Sequence, residues 1–410
     1  MISRKLLLIP LGILLLLQSG CWSKVEVENL AIVSAVGIDR IETEDGSKWQ
    51  ITLEVYLPKA MAAASGEEGG GRGGGQSATW ITSSVGNTLQ EAANNLSSRT
   101  PRILFYAHTH CVIIGKETAQ KEKLTDILPI FFGFKEFRLR NHVLISEKSA
   151  FETLSSVWEL EDSLADEIKD LTDETSLRLS KAVVADLKEV ADALVSSGRD
   201  VIASKLEVFE TPEPVSSGEQ EKQGQQNQEA QSVRLHGSAV FSGDKLAGFF
   251  DDHETRGYLF AKGDVKVTVI PLQLDTDSVF ECSVRILRST SKTSMKMQKG
   301  QPQIELKIKT EGHIEELCPG DYDVDTAFLE KIGREISHEI EKEVMASVEK
   351  AKSLKADVFG FGQSIYRKDP KYWHQIAENW RDHFPELPVK VEVETIIRRT
   401  GAVSKPFKSS

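Results

Sequence analysis

"DTAFLEKIGREISHEIEKEVMASVEK", residues Asp325 to Lys350, carries Ile332, Ile336, Ile340, Val344 and Val348 at intervals of four, with Phe328 and Leu329 beside them. That spacing gathers the apolar side chains on one helix face, while Glu and Lys fill the other. A stripe of this kind packs on a sheet, and the flanking sequence supplies one. Val265 to Leu272, Ser278 to Leu287 and Gln303 to Thr310 alternate apolar and polar residues, the period of strands wet on one face. "VKVEVETIIRR", Val389 to Arg399, closes the chain as a further strand. The sequence therefore predicts an α+β, multidomain protein. Mixed and antiparallel sheets pack with helices, including a long amphipathic helix near 325–355.

Working towards the N-terminus, "VRLHGSAVFSGDKLAGFF" (Val233 to Phe250) reads as two strands around Gly243-Asp244, and "DHETRGYLFAKG" (Asp252 to Gly263) as a short helix. The stretch "TPEPVSSGEQEKQGQQNQEAQS", Thr211 to Ser232, is dominated by Gln, Glu, Gly and Ser, the composition of a solvated linker or loop. Before it, Val201 to Glu210 reads as strand. Ser149 to Ser197 is dominated by helix, with Leu179, Val183, Leu187 and Leu194 near one stripe. The first part of the chain reads as strands from Leu30 and from Lys48, joined by an Asp45-Gly46 turn. A helix at Thr88 to Ser98, a buried strand at His108 to Gly115, a helix near Leu124 to Phe132 and a strand at Leu139 to Ser146 follow. "SGEEGGGRGGGQS", Ser65 to Ser77, is a flexible loop. It lacks the Gly-Lys-Ser/Thr that opens a phosphate-binding helix.

The expected partition is 1–20 as an export signal, 21–148 as an N-terminal α/β domain with the Gly-rich loop 65–77, and 149–210 as a helix-rich middle region. Residues 211–232 form a linker or loop, and 233–402 a C-terminal antiparallel sheet with helices. The signal reading rests on Arg4 and Lys5, followed by a nearly unbroken apolar run from Leu6 to Leu17. These twelve residues, interrupted by Pro10 and Gly12, fall short of the ~20 needed to cross a bilayer. Gln18, Ser19, Gly20 and Cys21 follow, an arrangement similar to a lipobox with Gln18 where Leu is usual. Cys21 is the candidate lipid-attachment residue. A diacylglyceryl group on its sulfur contributes two chains, enough for stable anchoring where one holds only marginally.

The chain has 410 residues and a net charge of −12, and loss of Arg4 and Lys5 with the signal makes the body more acidic still. Such a body disfavours nucleic acid and is repelled by an anionic membrane surface, leaving the acyl chains to do the holding. Cys111, Cys282 and Cys318 are few and far apart, with neither a disulfide framework nor zinc spacing. His108 and His110 alternate onto one strand face without a partner cluster. "HEIEK" (His338 to Lys342) places Lys342 where the second zinc ligand of H-E-x-x-H belongs. Asp321, Asp323 and Asp325 start like a calcium loop, but Thr326 stands where Gly is needed and Ile332 where the bidentate Glu belongs. They read better as helix-capping acids. "FGFGQS" lacks the third glycine of a dinucleotide fingerprint, at Ile365. The sequence predicts no catalytic residue, no metal and no cofactor.

In order and spacing, "GCW" (Gly20 to Trp22), "AIVSAVGIDR", "HTHCVIIGKETA", "HGSAVFSGDKLAGFFDDHETRGYLF", "DVFGFGQSIYRKDPKYWHQIAENWRDHF" and "IIRRTG" resemble the Ger(x)C spore-germination family. The resemblance implies a mixed α and β fold in three domains and a lipid-anchored, non-enzymatic C subunit of a nutrient germinant receptor. Its expected partners are A-type and B-type membrane subunits, and its place the outer face of the cytoplasmic membrane, the spore inner membrane. A free-standing extracytoplasmic substrate-binding lipoprotein is the alternative, and an extracytoplasmic hydrolase a third reading. Trp373 and Trp380 are possible docking anchors if exposed, and core residues if their helix buries them.

Overall fold

The structure is a computed structural model that describes residues 26, 29–57, 78–156, 161–210, 231–273, 282–317 and 325–398. The expected signal 1–20, Cys21, the Gly-rich loop 65–77, most of the stretch 211–232, Asp321, Asp323 and Cys318 lie outside the described residues.

Strands β1 (Leu30–Thr43), β2 (Gly46–Tyr56) and β3 (Thr79–Gly86) form an antiparallel meander. The predicted Asp45-Gly46 turn joins the first two, and Gly46 takes φ +101°, open to glycine at little cost. Helix α1 (Leu89–Arg99), capped by Thr88, leads to β4 (Ile103–Phe105) and β5 (Cys111–Gly115). Short helices α2 (Lys116–Lys121), α3 (Leu124–Ile127) and α4 (Pro129–Gly133) precede β6 (His142–Ser146). Then come α5 (Ala150–Leu154), α6 (Leu164–Arg178), α7 (Leu187–Val195), β7 (Ile202–Glu210), β8 (Gln231–Ser242) and β9 (Lys245–Phe250). They make one mixed sheet in the order β3-β2-β1-β5-β6-β7-β8-β9, with β4 alongside β1. The central run β1, β5, β6, β7 is parallel. Parallel strands are covered on both faces, which is why β5 reads as an unbroken apolar run. Val112 and Ile114 point to a core shared with α1 and α7, while Cys111 and Ile113 point to one shared with α5 and α6.

The second half contains α8 (Asp252–Lys262), β10 (Thr268–Leu272), β11 (Cys282–Gln298) and β12 (Gln301–Leu317). Helices α9 (Thr326–Ser353), α10 (Phe361–Lys368), α11 (Pro370–Ile376) and α12 (Trp380–His383) and strand β13 (Val389–Ile397) complete it. The sheet order is β10-β11-β12-β13, antiparallel except for the parallel pair β12–β13. The stripe that decided the fold is buried as expected: Ile332, Ile336, Ile340, Val344 and Val348 are all 0% exposed. They share a core with Ile286, Ile304 and Ile308 of the sheet. Burying each such side chain contributes about 1.5–3 kcal/mol.

Two expectations change. Leu179 to Leu194 is not one stripe, because residues 179–186 are not helical and Leu179 is exposed. Asp186 and Glu189 form a capping box that starts α7 afresh at Leu187. Pro370 to Phe384 is not one helix but α11 and α12 separated by a 3₁₀ turn at Ala377–Asn379. The mixed sheet itself continues past residue 149 and past the stretch 211–232. β8 pairs antiparallel with β7 across residues 211–230, and the second sheet starts only at Thr268. A long polar insertion between paired strands costs little more closure entropy than a short one.

Helices α8 and α9 cross at Gly257, where a Cβ would collide with the Glu343 carbonyl oxygen. Arg256 forms a two-pronged ion pair with the Glu343 carboxylate beside this crossing. Gly257→Ala should lower the unfolding free energy by about 1–3 kcal/mol through overpacking, despite the better helix propensity of Ala. Gly133→Ala, where a Cβ meets nothing within 4 Å, should leave it unchanged. Urea denaturation of the two variants checks this: the midpoint should fall for the first alone, with the slope constant.

Candidate functional site

Helix α9 ends at a left-handed Lys355 (φ +52°), which turns the chain into the buried segment Ala356 to Phe361. Asp357 lies at its centre. Its Oδ1 accepts the Phe361 amide (2.9 Å), and its Oδ2 accepts the Gly362 amide (2.7 Å) and the Trp380 indole N–H (3.1 Å). The carboxylate thus takes up free N–H groups at the start of α10, where the helix dipole favours negative charge. From the other sheet, the Asp200 Oδ2 accepts the Asp357 amide (2.7 Å), and the Asp200 amide donates to the Asp357 carbonyl (2.9 Å). The Asp200 Oδ1 accepts the Gly243 amide (2.8 Å) in the β8–β9 turn and the Arg381 Nη2 (3.0 Å).

Two glycines allow this approach. Gly198 has φ +76°, and a Cβ there would meet the Gly362 backbone at 2.7 Å and the Trp373 ring at 2.6 Å. A Cβ on Gly362 would in turn meet the Gly198 Cα and the Trp373 ring, each at 2.7 Å. "FGFGQS" is therefore a helix start closed by Asp357 and pressed against Gly198, and the amides of Phe361 and Gly362 are already occupied. Trp373 and Trp380 are buried edge-to-face, with ring centroids 5.2 Å apart, which removes them as exposed anchors.

The same device recurs in the first sheet. Asp39 accepts the amides of Ala150 (2.8 Å) and Phe151 (2.9 Å) at the start of α5. Glu54 accepts those of Leu164 and Ala165 (both 3.0 Å) at the start of α6, and the Ser34 hydroxyl (2.7 Å). Burial pushes both carboxyls above their ordinary range, against the pull of these donors. Beside Glu54, Asp166 accepts Tyr56 Oη (2.8 Å) and Ser163 Oγ (2.7 Å) and lies 3.4 Å from His110 Nε2. Burial favours its neutral form, but these hydrogen bonds outweigh that and hold Asp166 at about 2. The neighbouring Cys111 is wholly buried, and burial, then the Glu54 charge, push its thiol far up, which leaves it a poor nucleophile.

The sequence-predicted residues fall elsewhere. His108 and His110 precede β5 rather than alternating on it, and His108 lies against the Phe105 ring at 5.9 Å. His338 is on the exposed face of α9, and Asp325 caps that helix through the Phe328 amide (2.8 Å). Among the described residues no group of three or more His, Cys, Asp or Glu side chains could hold a metal ion. No helix among them is long and apolar enough to cross a membrane. Sequence reading missed Asp39, Glu54, Asp200 and Asp357. For three of them, the available signal was an acid standing inside an apolar run, in "VGIDRI", "ITLEVY" and "ADVFGF".

Burial, with the Asp200 charge as a smaller contribution, pushes the Asp357 carboxyl up to about 7, against its three donors. The folded protein therefore holds this proton to higher pH than the unfolded chain. The resulting stability is complete below about pH 4, the ordinary carboxyl range, and is lost as pH rises through 7. One such group gives a decline of at most about 1.4 kcal/mol per pH unit between those limits. Asp357→Asn should lower stability and flatten this decline; urea unfolding at pH 5 and pH 7 measures both effects.

Comparisons with known proteins agree with this architecture. Residues 23–208 match the family described as "Spore germination protein N-terminal domain", and residues 236–401 that described as "Spore germination B3/ GerAC like, C-terminal". Spore germination protein KC of Bacillus subtilis is 29% identical, with 100% of this chain and 98% of that one covered. Spore germination protein B3 of the same organism is 20% identical over 96% and 97% of the two chains. The crystal structure of the GerBC protein superposes with a TM-score of 0.52 at 16% identity, over 89% of this chain and 97% of that one, and shows the same fold. With both family domains matched in order along most of its length, the chain belongs to the Ger(x)C family of spore-germination proteins.

Proposed function

We propose that this protein is the lipid-anchored, non-enzymatic C subunit of a nutrient germinant receptor, needed for nutrient-triggered spore germination. Its partners are A-type and B-type membrane subunits, and its place is the outer face of the spore inner membrane. The observation that carries the reading is end-to-end similarity to spore germination protein KC, together with "GCW" at the end of the apolar leader. A non-catalytic role is supported by the use made of the buried acids. Asp39, Glu54 and Asp357 accept helix amides, and Asp166 is held by Tyr56, Ser163 and His110. None is left beside an activated nucleophile. A tethered body works by contact, because the anchor raises its effective concentration near membrane partners and lets weak surfaces hold.

The tagged protein should co-purify from detergent-solubilised spore membranes with the membrane subunits. Cys21→Ala should move it to the soluble fraction and depress the response to nutrients, while germination by calcium dipicolinate persists. Full membrane retention of that variant contradicts lipid anchoring, and recovery without membrane subunits contradicts receptor membership.

A further inference from the structure

A cavity of about 320 Å³ opens between α7, the start of β7 and the end of α8, beside the Asp200–Asp357 contact. Its apolar wall consists of alanine, valine, leucine and isoleucine side chains. Its polar lining comprises Arg199, Lys262, Lys266, Tyr258, Glu189 and Asp264. Among the described residues no ion pair joins any of the three cations to a carboxylate. Among the described residues Arg199 Nε is buried without a hydrogen-bond partner, while the side chain also interacts with the Tyr258 hydroxyl. Lys262 has only a long contact to the Phe359 carbonyl, at 3.4 Å. Burial, and then the Arg199 charge, favour its neutral form, against the opposing charges of Asp264 and Asp357.

The Arg199 backbone is fixed on both sides. Gly198 is pressed against Gly362 and Trp373, and Asp200 is hydrogen-bonded to Asp357. Arg199 therefore enters the cavity from a rigid support, the arrangement that reduces the entropy lost on binding. A planar guanidinium matches a carboxylate through two parallel N–H donors, and a neighbouring ammonium adds a point charge. The volume lies at the small end of ligand pockets, and the apolar wall suits a short hydrocarbon portion.

We propose that this cleft is a binding site for a small organic carboxylate, held by Arg199 and Lys262 with its hydrocarbon part against the aliphatic wall. This goes beyond the receptor assignment and depends on neither the anchor nor the membrane partners. The test is isothermal titration, with thermal unfolding in parallel, of the full-length protein in detergent micelles at constant ionic strength. The probes are three- to six-carbon mono- and dicarboxylates and inorganic phosphate. At least one carboxylate should bind saturably at one site and raise Tm, more strongly than phosphate. Arg199→Lys keeps the charge but loses the fork and should weaken binding at least about tenfold. Lys262→Met should weaken it as well, and it supplies the answer if the first variant does not fold. Binding of no carboxylate, equal binding by the folded variants, or binding of phosphate alone overturns the proposal.

Discussion

The structure depends on placing two carboxylates out of water, Asp200 against the Asp357 backbone and Asp357 against the start of α10. Leaving such groups unpaired inside a protein costs several kcal/mol each. They are tolerated because six donors converge on them, Asp357, Gly243 and Arg381 on Asp200, and Phe361, Gly362 and Trp380 on Asp357. Those donors come from both halves of the molecule. The contact therefore joins the mixed sheet to the helices that follow α9.

Asp39 and Glu54 show the same logic on a shorter scale. Each is an acid in a central strand that closes the N-terminus of a helix about 110 residues away. Helix starts are usually capped by their own neighbours, as in the capping boxes of α7 and α8. Capping from a distant strand makes the helix position conditional on the whole sheet. It also consumes acids that sequence chemistry would otherwise offer for catalysis.

Much of the architecture was legible in the sequence. The four-residue stripe of α9 was readable because one face alone is apolar, and the turns at Gly46 and Gly243 because both need positive φ. The Leu179 to Leu194 stripe misled because its periodicity crosses a chain break that the Asp186–Glu189 box imposes. The long reach of β11 and β12 exceeded the alternation visible in sequence, since half their residues face water and tolerate any polar side chain. The partners of these acids were not legible, because Asp39 and Glu54 reach helices 111 and 110 positions away and Asp200 meets Asp357 across 157. The cleft around Arg199 was hidden for the same reason, as its cations lie on separate elements and in no motif.

If the Asp200–Asp357 contact makes one body of the two sheets, they should open together. Native-state hydrogen exchange across a urea series measures this directly. The account predicts that the amides of Phe361, Gly362 and β12 exchange with the same opening free energy and urea dependence as those of Val112 and Ile113 in β5. Exchange of the second sheet through a separate opening of lower free energy, while β5 stays protected, contradicts it.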